Sequence, residues 1–390
     1  MEMSGLYGPY TCHEHVLQRI WAEQEFDGDQ ARTTDGAFVE VLDPGKWNAL
    51  GGPDFRAATL RIGGEKLVGD VEVHFRAEDW EAHGHERDAA YAHVILHVVL
   101  FPPVTRRAGP VRRPTLVLLP LLLRDLEEIA SDVALRQVTG RLDREAWDDL
   151  RALPPAERRR RLHGLAVNRW EQKVGYAAAR IRKLGWTKAA HQTALEILGY
   201  KYNRAQMLRV AERHPLRDWT DAGCAALAYQ ELSGQWHLQG SRPANQPKAR
   251  LRQYNTWVRA VPDWPDRLAA LHLPVVDQCQ ELPGSVREAR RQLKVTELRR
   301  RLSREIAGGA VGGARWDNIV CDGLLPLLAA KTGKTALGLW FCWPMGDAPK
   351  VLKSALSLLG LARGQEEPAS HGWGQALLAW TLQAEVRANR

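Results

Sequence analysis

The segment Gly69-Asp70-Val71-Glu72-Val73-His74-Phe75 alternates strictly between side chains that can ligate a cation and side chains that are apolar. Successive side chains of a β-strand point to opposite faces, so this pattern predicts a strand sending Val71, Val73 and Phe75 into a core. Asp70, Glu72 and His74 then project together from the other face, where a helix would scatter them. Upstream, Gly51-Gly52-Pro53-Asp54-Phe55 places a further carboxylate where a Gly/Pro loop gives way to another strand. Asp54, Asp70, Glu72 and His74 are therefore expected to form the divalent-metal centre of a hydrolase.

The flanking periodicities supply the scaffold. Val16, Leu17, Ile20 and Trp21 recur at helical spacing and predict an amphipathic helix over 12–24. Strands are expected over 38–42, 55–62, 67–75 and 93–101, with Gly63-Gly64 as a hairpin turn and a short helix within 78–91. The order is α-β-β-β-α-β, followed by an apolar run over 116–123. Beyond it, Leu/Ala/Arg-rich periods predict helices near 125–137, 143–152, 155–184, 188–199, 203–213, 221–232 and 285–306. The fold class is α+β: a small mixed α/β domain over 1–124, then a mainly helical basic domain over 125–390, subdivided near 235–285 and 307–315.

Charge divides the same way. The net +8 conceals a first hundred residues with 8 Lys/Arg against 18 Asp/Glu, which leaves +18 for residues 101–390; seven of the 13 histidines lie in the acidic part. An acidic, His-rich segment joined to a basic one suits a metal centre beside a surface that holds nucleic acid. Solvated helix faces of an Arg-rich chain account for the basic part equally well. Candidate phosphate contacts are Arg158, Arg159, Arg160 and Arg161, then Arg299, Arg300 and Arg301, with Arg242, Asn245 and Arg250 in a Pro-punctuated segment. Twelve of 15 tryptophans follow residue 125, where packing between helices is their expected role.

Other classes fall away. No apolar run approaches the ~18 residues of a membrane helix, and Met1-Glu2-Met3-Ser4-Gly5 is no basic-then-apolar signal segment, so a soluble, cytoplasmic protein is expected. Cys12, Cys224, Cys279, Cys321 and Cys342 lack paired short spacing and read as reduced thiols. Lys331-Thr332-Gly333-Lys334-Thr335 ends like a phosphate-binding loop, but Leu328 stands where its first glycine is required.

An alternative metal set is His83 and His85 with Asp79 or Asp88, of zinc type; a surface histidine pair in a polar loop is the plainer reading. His97, in an apolar strand, reads as a core histidine or as a partner that orients a ligand. In Cys12-His13-Glu14-His15 neighbouring side chains diverge on a helix, which leaves Glu14 alone as a candidate.

Several of these pieces, together with Pro44-Gly45-Lys46-Trp47-Asn48, Asp79-Trp80, Tyr91, Val94–Val99, Leu198-Gly199-Tyr200, Asn203, Arg242–Pro247, Asn318-Ile319-Val320 and Pro326, resemble a bacterial family known as domain of unknown function 2851. The resemblance spans most of the chain, although the C-terminus lacks the cysteine-bearing ending of many members. The N-terminal arrangement also resembles the PD-(D/E)XK nuclease superfamily: Glu14 matches its helical Glu, Pro53-Asp54 its PD element and Glu72-Val73-His74 its E-x-K element, with His in place of Lys. That resemblance implies hydrolysis of phosphodiester bonds in DNA or RNA. It also implies Mg²⁺ or Mn²⁺ on Asp54, Glu72 and the Val73 carbonyl, and catalytic roles for His74 and Glu14. The alternatives are a non-catalytic nucleic-acid-binding or assembly protein with a degenerate nuclease fold, and a Zn²⁺ hydrolase acting through His83 and His85.

Overall fold

The structure, a computed structural model, describes residues 14–48, 51–103, 113–124, 126–140, 147–199, 202–238, 243–273 and 284–388. The chain is α+β and divides into two compact units, one mainly Cys12–Ala130 and the other mainly Ser131–Ala384.

In the first unit, α1 (Glu14–Glu23) is followed by β1 (Val39–Asp43), β2 (Lys46–Trp47), β3 (Phe55–Ile62), β4 (Glu65–His74), α2 (Asp79–Ala82), β5 (Val94–Val99) and β6 (Thr115–Val117). The strands form one mixed sheet in the order β1-β3-β4-β5-β6, with β2 also on β3. Gly63 and Gly64 close the β3–β4 hairpin with φ of 59° and 93°, the left-handed pair that a tight two-residue turn requires. β4, β5 and β6 run parallel, so the chain must cross over between β4 and β5. That crossover consists of α2 and two single 3₁₀ turns, His85–Arg87 and Ala89–Tyr91.

Helix α1 buries Val16, Leu17, Ile20 and Trp21, as its spacing predicts, and packs on β4. Gly69 lets β4 approach β5: a Cβ there would collide with the Ile95 side chain and stand 2.7 Å from the His93 carbonyl oxygen. The expected division of β4 into a core face and an open polar face does not hold at its end. Val71, Glu72, Val73 and His74 are all buried, because this end of the strand lies inside the sheet with both faces covered.

Beyond β6 the chain is helical. The helices are α3 (Leu126–Gly140), α4 (Asp148–Ala152), α5 (Pro155–Leu184), α6 (Trp186–Leu198), α7 (Arg204–Arg213), α8 (Cys224–Glu231), α9 (Pro247–Ala260), α10 (Trp264–Ala269), α11 (Val286–Gln292) and α12 (Val295–Ala307). They continue as α13 (Gly313–Ile319), a π-helical turn at Val320–Leu324, α14 (Leu325–Thr332), α15 (Leu337–Cys342), α16 (Lys350–Leu358) and α17 (His371–Ala388). The single helix expected over 285–306 is two, broken where Lys294 takes a left-handed φ of 49°. All of the twelve later tryptophans except Trp186 are buried, so their role is packing. Among the described residues no helix is long and apolar enough to cross a membrane.

Candidate metal centre

The end of β4 presents Glu72 and His74, the C-cap of α2 presents His83, the following 3₁₀ turn presents His85, and β5 presents His97. Each of His74, His83 and His85 offers one ring nitrogen within 4.8 Å of the other two. His83 Nδ1 lies 3.2 Å from His74 Nε2. Glu72 Oε1 is 3.2 Å from His74 Nε2 and 3.4 Å from His85 Nε2. Ligands at ~2.0–2.1 Å from a tetrahedral ion stand roughly 3.3–3.4 Å apart, the spacing of His74 from His83 and of Glu72 from His74 and His85. His97 is one step back, its Nε2 3.0 Å from His74 Nδ1.

Aromatic packing holds the rings. Tyr91 stacks on His85 at 3.8 Å, and Trp80 meets His74, His85, His97 and Tyr91 edge-on at 5.2–6.4 Å. The Arg113 guanidinium covers Trp80 at 4.2 Å. His83 alone among the three clustered imidazoles is exposed, which makes its side the solvent approach.

The carboxylates divide by partner. Asp54 lies against Glu72: its backbone N–H donates to Glu72 Oε2 at 3.0 Å, while its own oxygens accept from Gln18 Nε2 at 2.7 Å and from the Val73 N–H at 3.0 Å. Glu14, in the first turn of α1, is near enough for the charges of His74, His83, Asp79 and Glu72 to act on it. Asp70 is placed elsewhere. At a bulge in β3 between Phe55 and Ala58, Asp70 Oδ1 accepts from the Ala57 N–H at 3.1 Å. Asp88 Oδ1 caps the Ala90 N–H at 2.9 Å, and Asp79 Oδ2 caps the Arg76 N–H at 2.9 Å. Sequence spacing thus joined Asp54, Glu72 and His74, but it left His83 and His85 in a separate set.

Burial controls the protonation of the cluster. It lowers His74 to about 4, with the Glu14 charge acting in the opposite sense. Burial lowers His85 to about 4 and His97 to about 3, each reinforced by the neighbouring His74. All three are neutral at physiological pH, the state in which an imidazole has a lone pair for a metal. Burial drives the Asp54 and Glu72 carboxyls in the opposite direction, well above the ordinary carboxylate range, and Glu72 raises Asp54 further. Glu14 is raised by burial as well. A cation placed beside these carboxyls would act in the opposite sense and favour their ionised form.

In the helical part most of the candidate phosphate contacts have protein partners. Arg158 donates to the carbonyls of Leu150, Arg151, Leu153 and Leu359 at 2.6–3.1 Å. Arg159 donates to the Gly284 carbonyl at 3.2 Å, and both Arg160 and Arg161 pair with Glu157. Arg250 is buried and bonded to Asn245 and Gln253. Arg299 forks onto Asp317 at 2.5 and 2.9 Å, and Arg301 lies 3.8 Å from Glu305. Arg300 is exposed, its Nε 3.5 Å from the Thr296 carbonyl. Arg242 and Cys12 lie outside the described residues.

A family model described as protein of unknown function (DUF2851) matches residues 14–233, a span that contains every residue of the cluster. No curated protein and no solved structure matches the chain.

Proposed function

The chain belongs to the DUF2851 family of proteins of unknown function, and from the geometry of its N-terminal unit we propose a divalent-metal-dependent hydrolase acting on phosphodiester bonds of DNA or RNA. The observation that carries this reading is the convergence of His74, His83 and His85 beside Glu72. Three imidazoles with a carboxylate favour Zn²⁺ or Mn²⁺ over Mg²⁺, which prefers an all-oxygen shell. A bound ion would supply a Lewis acid and an acidified water. Glu72 Oε1, 3.2 Å from His74 Nε2 and 3.4 Å from His85 Nε2, would accept the proton of a water activated there, and the Asp54 backbone N–H, donating to Glu72 Oε2, would hold that carboxylate in place. The exposed His83 side admits the substrate. The phosphodiester class rests on the Glu14, Asp54 and Glu72-Val73-His74 order and on the charge split along the chain.

The test uses the full-length protein. Metal content is measured in the native protein, His83→Ala and Glu72→Gln, alongside cleavage of single- and double-stranded DNA and RNA with Zn²⁺, Mn²⁺ or Mg²⁺. The expected result is one ion per chain, weakened by His83→Ala, and cleavage reduced about 10²–10⁴-fold by Glu72→Gln. A native protein that holds no ion overturns the hydrolase. An ion without cleavage, but with salt-sensitive nucleic-acid binding, points to the degenerate-nuclease scaffold. An ion with neither leaves hydrolysis of a small ester as the remaining activity to assay.

A further inference from the structure

We propose that His97 is the positioning residue that turns His74 into a metal ligand, an inference that rests on the metal reading above. A neutral imidazole carries one N–H, so His74 can coordinate through Nε2 only when its proton is on Nδ1. His74 is 1% exposed, and a buried N–H of this kind needs an acceptor. The His97 Nε2, 3.0 Å from His74 Nδ1, is that acceptor. The two ring planes are nearly perpendicular, at 87°, so the rings meet through their nitrogens rather than by stacking.

The backbone fixes the acceptor. His97 lies opposite Glu72 in the parallel β4–β5 register, its own N–H donates to the Pro114 carbonyl at 2.9 Å, and Trp80 leans on its ring at 5.2 Å. One proton then decides what the cluster is. With His74 donating, its Nε2 lone pair faces Glu72, His83 and His85, and the centre can hold an ion. With His97 donating instead, the His74 proton moves to Nε2 and points at Glu72 Oε1 and His83 Nδ1, each 3.2 Å away. The centre is then only a hydrogen-bonded cluster. His97 thus acts on the metal through His74, as carboxylate or carbonyl partners do behind other ligating histidines.

The test is Zn²⁺ affinity, by competition with a chromophoric chelator, of the full-length native protein, His97→Gln and His97→Phe, with thermal unfolding of each metal-free variant as the folding control. Glutamine retains an acceptor oxygen near the Nε2 position, and its affinity should stay close to native. Phenylalanine keeps the bulk but removes the acceptor, and affinity should fall roughly 10–100-fold. His97→Phe binding zinc as tightly as the native protein overturns the role of His97 while the metal centre stands. A native protein that binds no zinc overturns both. If His97→Phe does not fold, long-range ¹⁵N–¹H correlation of the zinc-loaded native protein decides: protonated Nδ1 on both His74 and His97 is expected, and a protonated His97 Nε2 refutes the proposal.

Discussion

Asp70 and Glu72 stand two positions apart on one strand, yet their environments give them different tasks. Asp70 accepts the Ala57 N–H where Ala57 holds a left-handed φ of 55°, so it stabilises a β-bulge. Glu72 faces two imidazoles and the Asp54 amide. Asp70→Ala should therefore lower the stability of the metal-free protein by about 1 kcal/mol, read from its urea midpoint, and leave zinc stoichiometry unchanged. A loss of bound zinc would return Asp70 to the metal set. His83→Ala should do the reverse. The side chain is exposed, so the urea midpoint should hardly move, while zinc affinity drops at least roughly tenfold in the same chelator competition.

At the scale of elements, the site depends on how closely β4 and β5 pack. Gly69→Ala would drive a Cβ against the Ile95 side chain and the His93 carbonyl, at the point where the strand pair begins. The strain should cost about 1–3 kcal/mol and shift Glu72 and His74 relative to His97. Zinc affinity measured on the folded fraction should fall together with stability; unchanged affinity would mean that the strand ends move independently of the bulge. In the helical part, His191 on α6 donates from Nε2 to the His214 carbonyl at 2.9 Å and accepts the Tyr254 hydroxyl at Nδ1 at 2.7 Å. Burial, only partly opposed by its backbone hydrogen bonds, lowers it to about 4, against ~6.5 for an unfolded histidine. The unfolded chain thus takes up the proton first. Stability is complete above pH ~6.5 and lost progressively as pH falls toward 4, by up to about 3 kcal/mol. The urea midpoint should fall less between pH 7 and pH 4.5 in His191→Gln than in the native protein; equal losses would remove His191 from this account.

For the molecule as a whole, two compact units imply that unfolding is not a single two-state event. The histidine cluster lies in the first unit, and the buried tryptophans beyond residue 130 lie in the second. Calorimetry should resolve a zinc-sensitive transition and a zinc-insensitive one, the former stabilised by about 2.7 kcal/mol when free zinc is a hundredfold above its Kd. Tryptophan fluorescence should follow mainly the zinc-insensitive transition. A zinc-dependent shift of both would show that the units unfold together.

Much of this was written in local pattern. The apolar spacing of α1, the full 30-residue span of α5 and the Gly63-Gly64 hairpin follow from periods of 3.6 and 2 and from turn chemistry, which act between near neighbours in the chain. That Asp54 and Glu72 fall on neighbouring arms of one hairpin was legible for the same reason, whereas the register that brings them together is shifted by the bulge at Ala57. The engagement of Asp70 with the Ala57 N–H was not legible, because no residue type marks the bulge in β3 that presents it. The break at Lys294 was equally hidden, lacking the Gly or Pro that usually signals one. Helix α9 follows a segment that reads as Pro-punctuated, yet Pro247 occupies the first turn of a helix, where no N–H is needed, as Pro265 does in α10. Sequence alone therefore determined the strand that carries Asp70, Glu72 and His74 and the hairpin that joins it to the strand after Asp54. Only the tertiary fold brought His83 and His85 to that strand and set His97 behind His74, because the crossover that returns the chain to β5 is a non-local packing event, and distance across it is not encoded in residue spacing.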